Sequence, residues 1–145
     1  MSDTSNNLPE PRIEREELEE YRDIYRELLG FVPPRIQART DLLSRLDPEY
    51  LSLQEEIRKR GMYPEVFDVK TVQLMLFGML LLSLRDAARI HGIAARRAGA
   101  TWEEMQAVVN LAYLYGGLSA ANIGAQFLQQ IAESEQEAEA DRGED

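Results

Sequence analysis

Between Val72 and Leu84 the chain runs through thirteen residues that are almost wholly apolar. A bilayer span needs about twenty such residues, so the run predicts a buried core helix and no membrane segment. From Leu74 to Leu82 the apolar character extends all round the helix, interrupted only by Gly78. A helix that is apolar on every side must be covered on every side. A chain of 145 residues supports one domain with a real core but offers limited cover. Part of this surface is therefore expected to face another subunit; the alternative is a helix wrapped entirely by its own domain. Gly78 costs about 1 kcal/mol relative to Ala in a helix interior, which the close approach of a second helix offsets.

The rest of the chain reads as helices as well. Residues 1–11 are polar, hold two prolines and are expected to be flexible. Over 13–29, Leu18, Tyr21, Ile24, Tyr25, Leu28 and Leu29 fall on one face at three-to-four spacing. Gly30 stops this helix and Pro33-Pro34 prevents its resumption. A second helix spans 34–46. Asp47-Pro48 starts a third, which is expected to stop at Gly61. Asp68 caps a long fourth helix over 69–98, ended by Gly99. Thr101 with Glu104 makes a capping box for a fifth. The fifth presents Trp102, Met105, Val108, Val109, Ala112 and Tyr113 on its apolar face. Gly116-Gly117 breaks it, and a last helix covers 119–134. No segment alternates like a strand. The expectation is an all-α fold of about six helices in a single domain, residues 12–134.

Charge and composition remove several function classes. The chain has no cysteine, hence no disulfide, thiolate metal site or cysteine nucleophile. With one histidine, a transition-metal site would need carboxylates for most of its ligands, so no metal is expected. Of the net charge of −10, the last thirteen residues contribute seven acids and one Arg. Residues 135–145 therefore read as a disordered acidic tail. The body shows no basic stripe, which argues against nucleic acid. The start has no basic and apolar leader pattern, so a cytoplasmic protein is expected.

The one histidine lies in the second half of the predicted central helix. At about 100° per residue with Arg85 at the origin, Arg89, Asp86, Arg96 and Arg97 make a polar arc centred near 60°. His91 falls near 240°, mid-face on the opposite side, beside Leu84, Ala87, Ala95 and Ala98. Two readings stay open. One is a core histidine satisfied by a backbone carbonyl or a tyrosine. The other is an acid/base group in a pocket left by small neighbours.

The stretch His91–Met105, HGIAARRAGATWEEM, followed by Leu111–Ala121, LAYLYGGLSAA, resembles the carboxymuconolactone decarboxylase (AhpD-like) family. In that family a histidine is followed by A-x-x-x-G-A-T-x-E-E and then A-x-x-Y-G-G-x-P-A-A. Leu29-Gly30-Phe31-Val32-Pro33 is similar to the family's L-G-x-x-P opening. The likeness covers roughly residues 65–128, and a looser match starts near residue 20. Peroxidase members carry C-x-x-C-x-x-x-H; the matching cysteine positions here are Leu84 and Ala87, so a thiol peroxidase is disfavoured. Members often carry an acid near the start of the central helix, for which the nearest residues are Asp68, Lys70 and Thr71. Ser119 stands where the family often has proline.

The resemblance implies a helical protomer in a homo-oligomer, a trimer or hexamer, acting without cofactor on a small organic acid or lactone. Loss of carbon dioxide from an unsaturated acid leaves a dienolate-like charge that needs stabilisation and a proton, and His91 is the candidate acid/base. Candidate substrate-binding residues are Arg85 and Arg89 for a carboxylate, Tyr113 as a partner of His91, and Asn122 on the last helix. The arginines and Tyr113 have plainer readings: a solvated face for the arginines, core packing for Tyr113. Glu103 and Glu104 read first as helix-start acids. The competing function is a non-catalytic oligomeric ligand-binding or scaffold protein that kept the fold and lost the chemistry.

Overall fold

A computed structural model describes residues 7–143. Among the described residues there are six helices and no strand: α1 (Arg15–Leu29), α2 (Pro34–Leu46), α3 (Pro48–Met62), α4 (Val69–Leu82), α5 (Ala87–Arg97) and α6 (Trp102–Gly143). The all-α expectation holds. The chain divides into two compact units, with the boundary between Met62 and Tyr63, where the sequence reading treats 12–134 as one. Of the terminus expected to be flexible, residues 7–11 lie outside any helix and 1–6 lie outside the described residues.

The first unit is α1, α2 and α3. Gly30 ends α1 in the left-handed conformation, φ 86°, and its N–H donates to the Arg26 carbonyl. Asp47 accepts from the Tyr50 N–H at 3.1 Å, capping α3 as its sequence predicts. Helix α3 runs through Gly61 to Met62, because a Cβ-less residue in open space weakens a helix without breaking it.

The centre of this unit is polar. The buried Tyr25 hydroxyl donates to Glu55 at 2.9 Å, and Arg39 Nη2 meets the same carboxylate at 2.6 Å. Arg58 stacks on the Tyr25 ring, 4.0 Å from its centroid. Burial pushes the Tyr25 phenol up to about 12, with the Glu55 charge adding to the rise and Arg58 opposing it. Arg22, also buried, reaches Thr40 Oγ1 at 3.0 Å.

The second unit is α4, α5 and α6. Asp68 caps α4 by accepting from the Thr71 N–H at 2.7 Å, and the Thr71 hydroxyl together with this bond holds its carboxyl below the usual range. The predicted continuous helix 69–98 is interrupted. Leu84 takes φ 53°, the only positive φ of a non-glycine residue among those described. The Arg85 N–H closes back on the Leu80 carbonyl at 3.0 Å. This is the bonding of a glycine-type helix end, carried out here by a leucine, and it separates α4 from α5.

Thr101 and Glu104 form the expected capping box: each backbone N–H donates to the other's side chain, at 3.2 and 3.0 Å. Helix α6 is two arms. Gly117, at φ 75° and ψ −164°, is not helical, which is the break expected at Gly116-Gly117. Residues fifteen apart on a straight helix stand about 22 Å apart. A Cβ built on Gly124 would lie 2.9 Å from both methyls of Val109. The second arm is therefore folded back on the first. Together with Phe77 and Leu81 of α4 and Ala88 and Ala95 of α5, Met105, Val109, Phe127 and Ile131 of the two arms form the core.

The second arm continues past Ser134 to Gly143, where the sequence reading has a loose acidic tail from 135. Arg96 anchors the start of this extension with a fork of two 2.9 Å bonds to Glu135 and stacks on Trp102 at 3.9 Å. Glu, Gln and Ala beyond it are strong helix formers. Residues 144–145 of the expected tail lie outside the described residues.

The two arms approach so closely that Gly124→Ala is expected to destabilise the protein by about 1–3 kcal/mol through overpacking against Val109. Urea denaturation measures this; an unchanged midpoint would contradict the hairpin packing.

Candidate functional site

His91 sits on α5, whose buried residues are Ala88, Gly92, Ala94 and Ala95. Ala88, Gly92 and Ala95 follow the i, i+4, i+7 spacing of one helix face. His91 is half-buried and lies within the buried arc that Ala94 completes, between Ala94 and Ala95 round the helix, with Arg89, Arg96 and Arg97 on the far side. Arg85 and Asp86 precede α5 and Ala98 only caps it. Of the small neighbours expected around the ring, Ala95 is buried and Ala87 half-buried, while Leu84 and Ala98 are exposed.

The imidazole Nδ1 stands 2.7 Å from Oε1 of Gln73. Gln73 lies on the second turn of α4 and has no exposed surface. Burying a carboxamide without hydrogen bonds costs several kcal/mol in an apolar setting, so this contact ties α5 to α4 at a defined register. With the carboxamide oxygen facing the ring, the contact is a hydrogen bond in the tautomer whose Nδ1 carries the proton and donates to Oε1. Gln73 holds the imidazole through a neutral group.

Gln73 is not among the residues that the sequence pattern singles out. The family's acid position points instead to Asp68, Lys70 and Thr71. Asp68 caps α4, and Lys70 pairs with Glu104 at 3.1 Å. That lysine is the main reason the Glu104 carboxyl is held below its ordinary range. A usable signal was present all the same: Gln73 is a carboxamide inside an apolar run, and a buried polar residue is the informative kind.

The other candidates are dispersed. Tyr113 is 47% exposed and lies outside the buried row of Met105, Val109 and Ala112, which corrects its place on the apolar face. Asn122 is exposed on the second arm of α6, and Arg85 is exposed in the turn between α4 and α5. Arg89 is half-buried on α5, two residues before His91 and so about 200° round the helix. Glu103 is exposed in the first turn of α6.

A groove of about 600 Å³ runs between α4 and the first arm of α6. Leu74, Met75, Gly78, Met79 and Leu82 form one wall, and Val108, Leu111, Ala112 and Tyr115 the other. Asp68, Lys70, Thr71 and Glu104 stand at the end where both helices begin. Leu82 is nine residues from Gln73, about 180° round α4. The groove and the His91–Gln73 pair therefore occupy opposite faces of one helix. No group of three or more metal-ligating side chains occurs among the described residues, and no described helix is long and apolar enough to cross a membrane.

Residues 48–130, more than half of the chain, match a family model described as the carboxymuconolactone decarboxylase family. No curated protein and no solved structure matched the chain.

Two substitutions test the pair. Gln73→Leu removes the carboxamide that meets the half-buried imidazole at 2.7 Å and is expected to cost about 1–3 kcal/mol. Gln73→Glu places a carboxylate against Nδ1 and is expected to raise the pH at which the single histidine titrates, relative to the parent chain. Proton NMR of the only imidazole reads the second directly. An unmoved titration would contradict the contact.

Proposed function

Because this chain belongs to the carboxymuconolactone decarboxylase family, we propose that it is a cofactor-independent lyase or isomerase acting on a small organic acid or lactone. His91 carries the proton. The chain works in the cytoplasm as a homo-oligomer of three or six copies. The observation that carries the catalytic reading is the 2.7 Å bond from Nδ1 to a fully buried Gln73. A histidine needed only for packing requires no fixed tautomer, whereas a general base needs its lone pair on a known nitrogen.

The chemistry follows from a neutral ring. In an isomerisation, Nε2 removes a proton from the carbon next to a carbonyl, the electron pair moves into an enolate, and the imidazolium returns the proton at another carbon. In a decarboxylation, the bond to the carboxylate breaks and its electron pair stays on the dienolate. An imidazolium protonated from solvent then delivers the proton to carbon. Arg89, half-buried on the same helix, and Arg85 in the preceding turn are the cations available to an acidic substrate. Tyr113 and Asn122 take part only if a neighbouring subunit brings them to a site. Thiol-dependent peroxide reduction is closed to this chain, which has no cysteine.

A second reading, an oligomeric ligand-binding or scaffold protein without turnover, is favoured by one observation. The groove between α4 and α6 lies apart from His91. Turnover separates the two readings. With a panel of unsaturated lactone acids, the parent chain is expected to consume at least one, followed by ultraviolet absorbance and carbon dioxide release. His91→Gln is expected to lose roughly 10²-fold or more of that rate while keeping its melting temperature within a few degrees. Full activity in His91→Gln would make the histidine a packing residue. Absence of turnover across the panel, with tight binding of an acid, would favour the second reading.

A further inference from the structure

Helix α5 carries His91, yet its own packing holds it only loosely. Its buried residues are Ala88, Gly92, Ala94 and Ala95, and Ile93, the larger side chain it sets against the core, is half-buried. Ridges made of alanine and glycine are low, so they permit close approach and resist sliding weakly. The ring of His91 nevertheless meets a carboxamide on α4 at 2.7 Å, a contact that a small shift of α5 would break.

Arg96 supplies the missing constraint. Its Nε and Nη2 each donate to a carboxylate oxygen of Glu135 at 2.9 Å, and its Nη1 donates to the Ala100 carbonyl at 2.7 Å. Its guanidinium stacks on Trp102, 3.9 Å from the ring centroid. One side chain thus joins α5 to the loop that follows it and to both arms of α6. The fork is planar and bidentate, so it fixes direction as well as distance. It also adjoins the packing beside the histidine. A Cβ on Gly92 would lie 2.8 Å from the Ile131 side chain. Gly92 and Arg96 are one turn apart on α5, as Ile131 and Glu135 are on α6. The two helices therefore meet in two successive rungs, one apolar and one ionic, and the apolar rung is next to His91 in the chain.

We propose that Arg96 and Glu135 are positioning residues for His91: their fork sets the register of α5 against the second arm of α6 and so holds the imidazole on Gln73. The acidic stretch from residue 135 contributes to the site through its first residue. For its bearing on turnover the proposal rests on the proton-transfer role of His91, while the position of the ring is measurable without a substrate.

Arg96→Met and Glu135→Ala test it, read by the ring ¹⁵N shifts of the single histidine at a pH where the imidazole is neutral. Both residues are half-buried, and both variants are expected to keep the helical circular dichroism and cooperative melting of the parent. Arg96→Lys, which keeps the charge and loses the fork, is the milder third variant. In all three the ring shifts are expected to move from the parent's values towards those of Gln73→Leu. Charge alone would act oppositely in Arg96→Met and Glu135→Ala, because one removes a cation and the other an anion. Folded variants whose ring shifts stay at the parent's values would overturn the proposal, and so would shifts of opposite sign in those two. Parent shifts already equal to those of Gln73→Leu would overturn it too, since no contact would then be held. With an acid that the parent consumes, Arg96→Met and Glu135→Ala are expected to lower kcat and leave KM nearly unchanged. Ring shifts that move as expected in a chain without turnover would uphold the positioning of the ring and remove the role of His91 in proton transfer.

Discussion

At Gly117 the backbone takes φ 75° and ψ −164°, and the two arms of α6 fold against each other. The contact needs glycine twice. Gly117 makes the reversal, since a side chain at such a φ is strained. Gly124 lets the returning arm close on Val109. Once closed, the hairpin offers Met105 and Val109 from one arm and Phe127 and Ile131 from the other, and Phe77 and Leu81 of α4 complete the core. Helix α5 enters with a small-residue face, where Gly92 meets Ile131. The position of His91 follows from that docking, because α5 is short and its buried face is set by Ala88, Gly92 and Ala95.

The two units are stabilised by different means. The first centres on a buried network of Tyr25, Glu55 and Arg39, with Arg22 on Thr40. Removing one member of such a network strands a buried charge, which costs more than an intact pair contributes. Among the described residues, the one buried polar side chain of the second unit is Gln73, and it meets the half-buried His91. A single polar contact in an apolar setting specifies register more than it adds stability.

Much of this was legible in the sequence because it is local. Gly30, Asp47-Pro48, Asp68, Thr101 with Glu104, and Gly116-Gly117 each act within a few residues, and each does what its chemistry predicts. The misses have physical causes. The break between α4 and α5 falls on Leu84, which adopts a positive φ without glycine or proline to announce it. Helix α3 passes through Gly61 because glycine weakens a helix by only about 1 kcal/mol. The extension to Gly143 starts from the Arg96–Glu135 pair, thirty-nine residues apart, and no local pattern contains it. His91 itself stood out as the only histidine and resembles the family's own. Its partner did not, because Gln73 is eighteen residues away on another helix. Tyr113 matched the period of the apolar face but falls just outside the arc that packs.

Which imidazole nitrogen carries the proton decides whether His91 can act as a base. With a single histidine in the chain, long-range ¹⁵N–¹H correlation of the ¹⁵N-labelled protein reports both ring nitrogens without ambiguity. Near neutral pH, Nδ1 is expected to show the shift of a protonated, pyrrole-type nitrogen and Nε2 that of a pyridine-type nitrogen. Gln73→Leu is expected to erase the preference. A proton on Nε2 in the parent chain, or a tautomer mixture unaffected by loss of Gln73, would contradict the claim that Gln73 holds His91 ready to accept a proton.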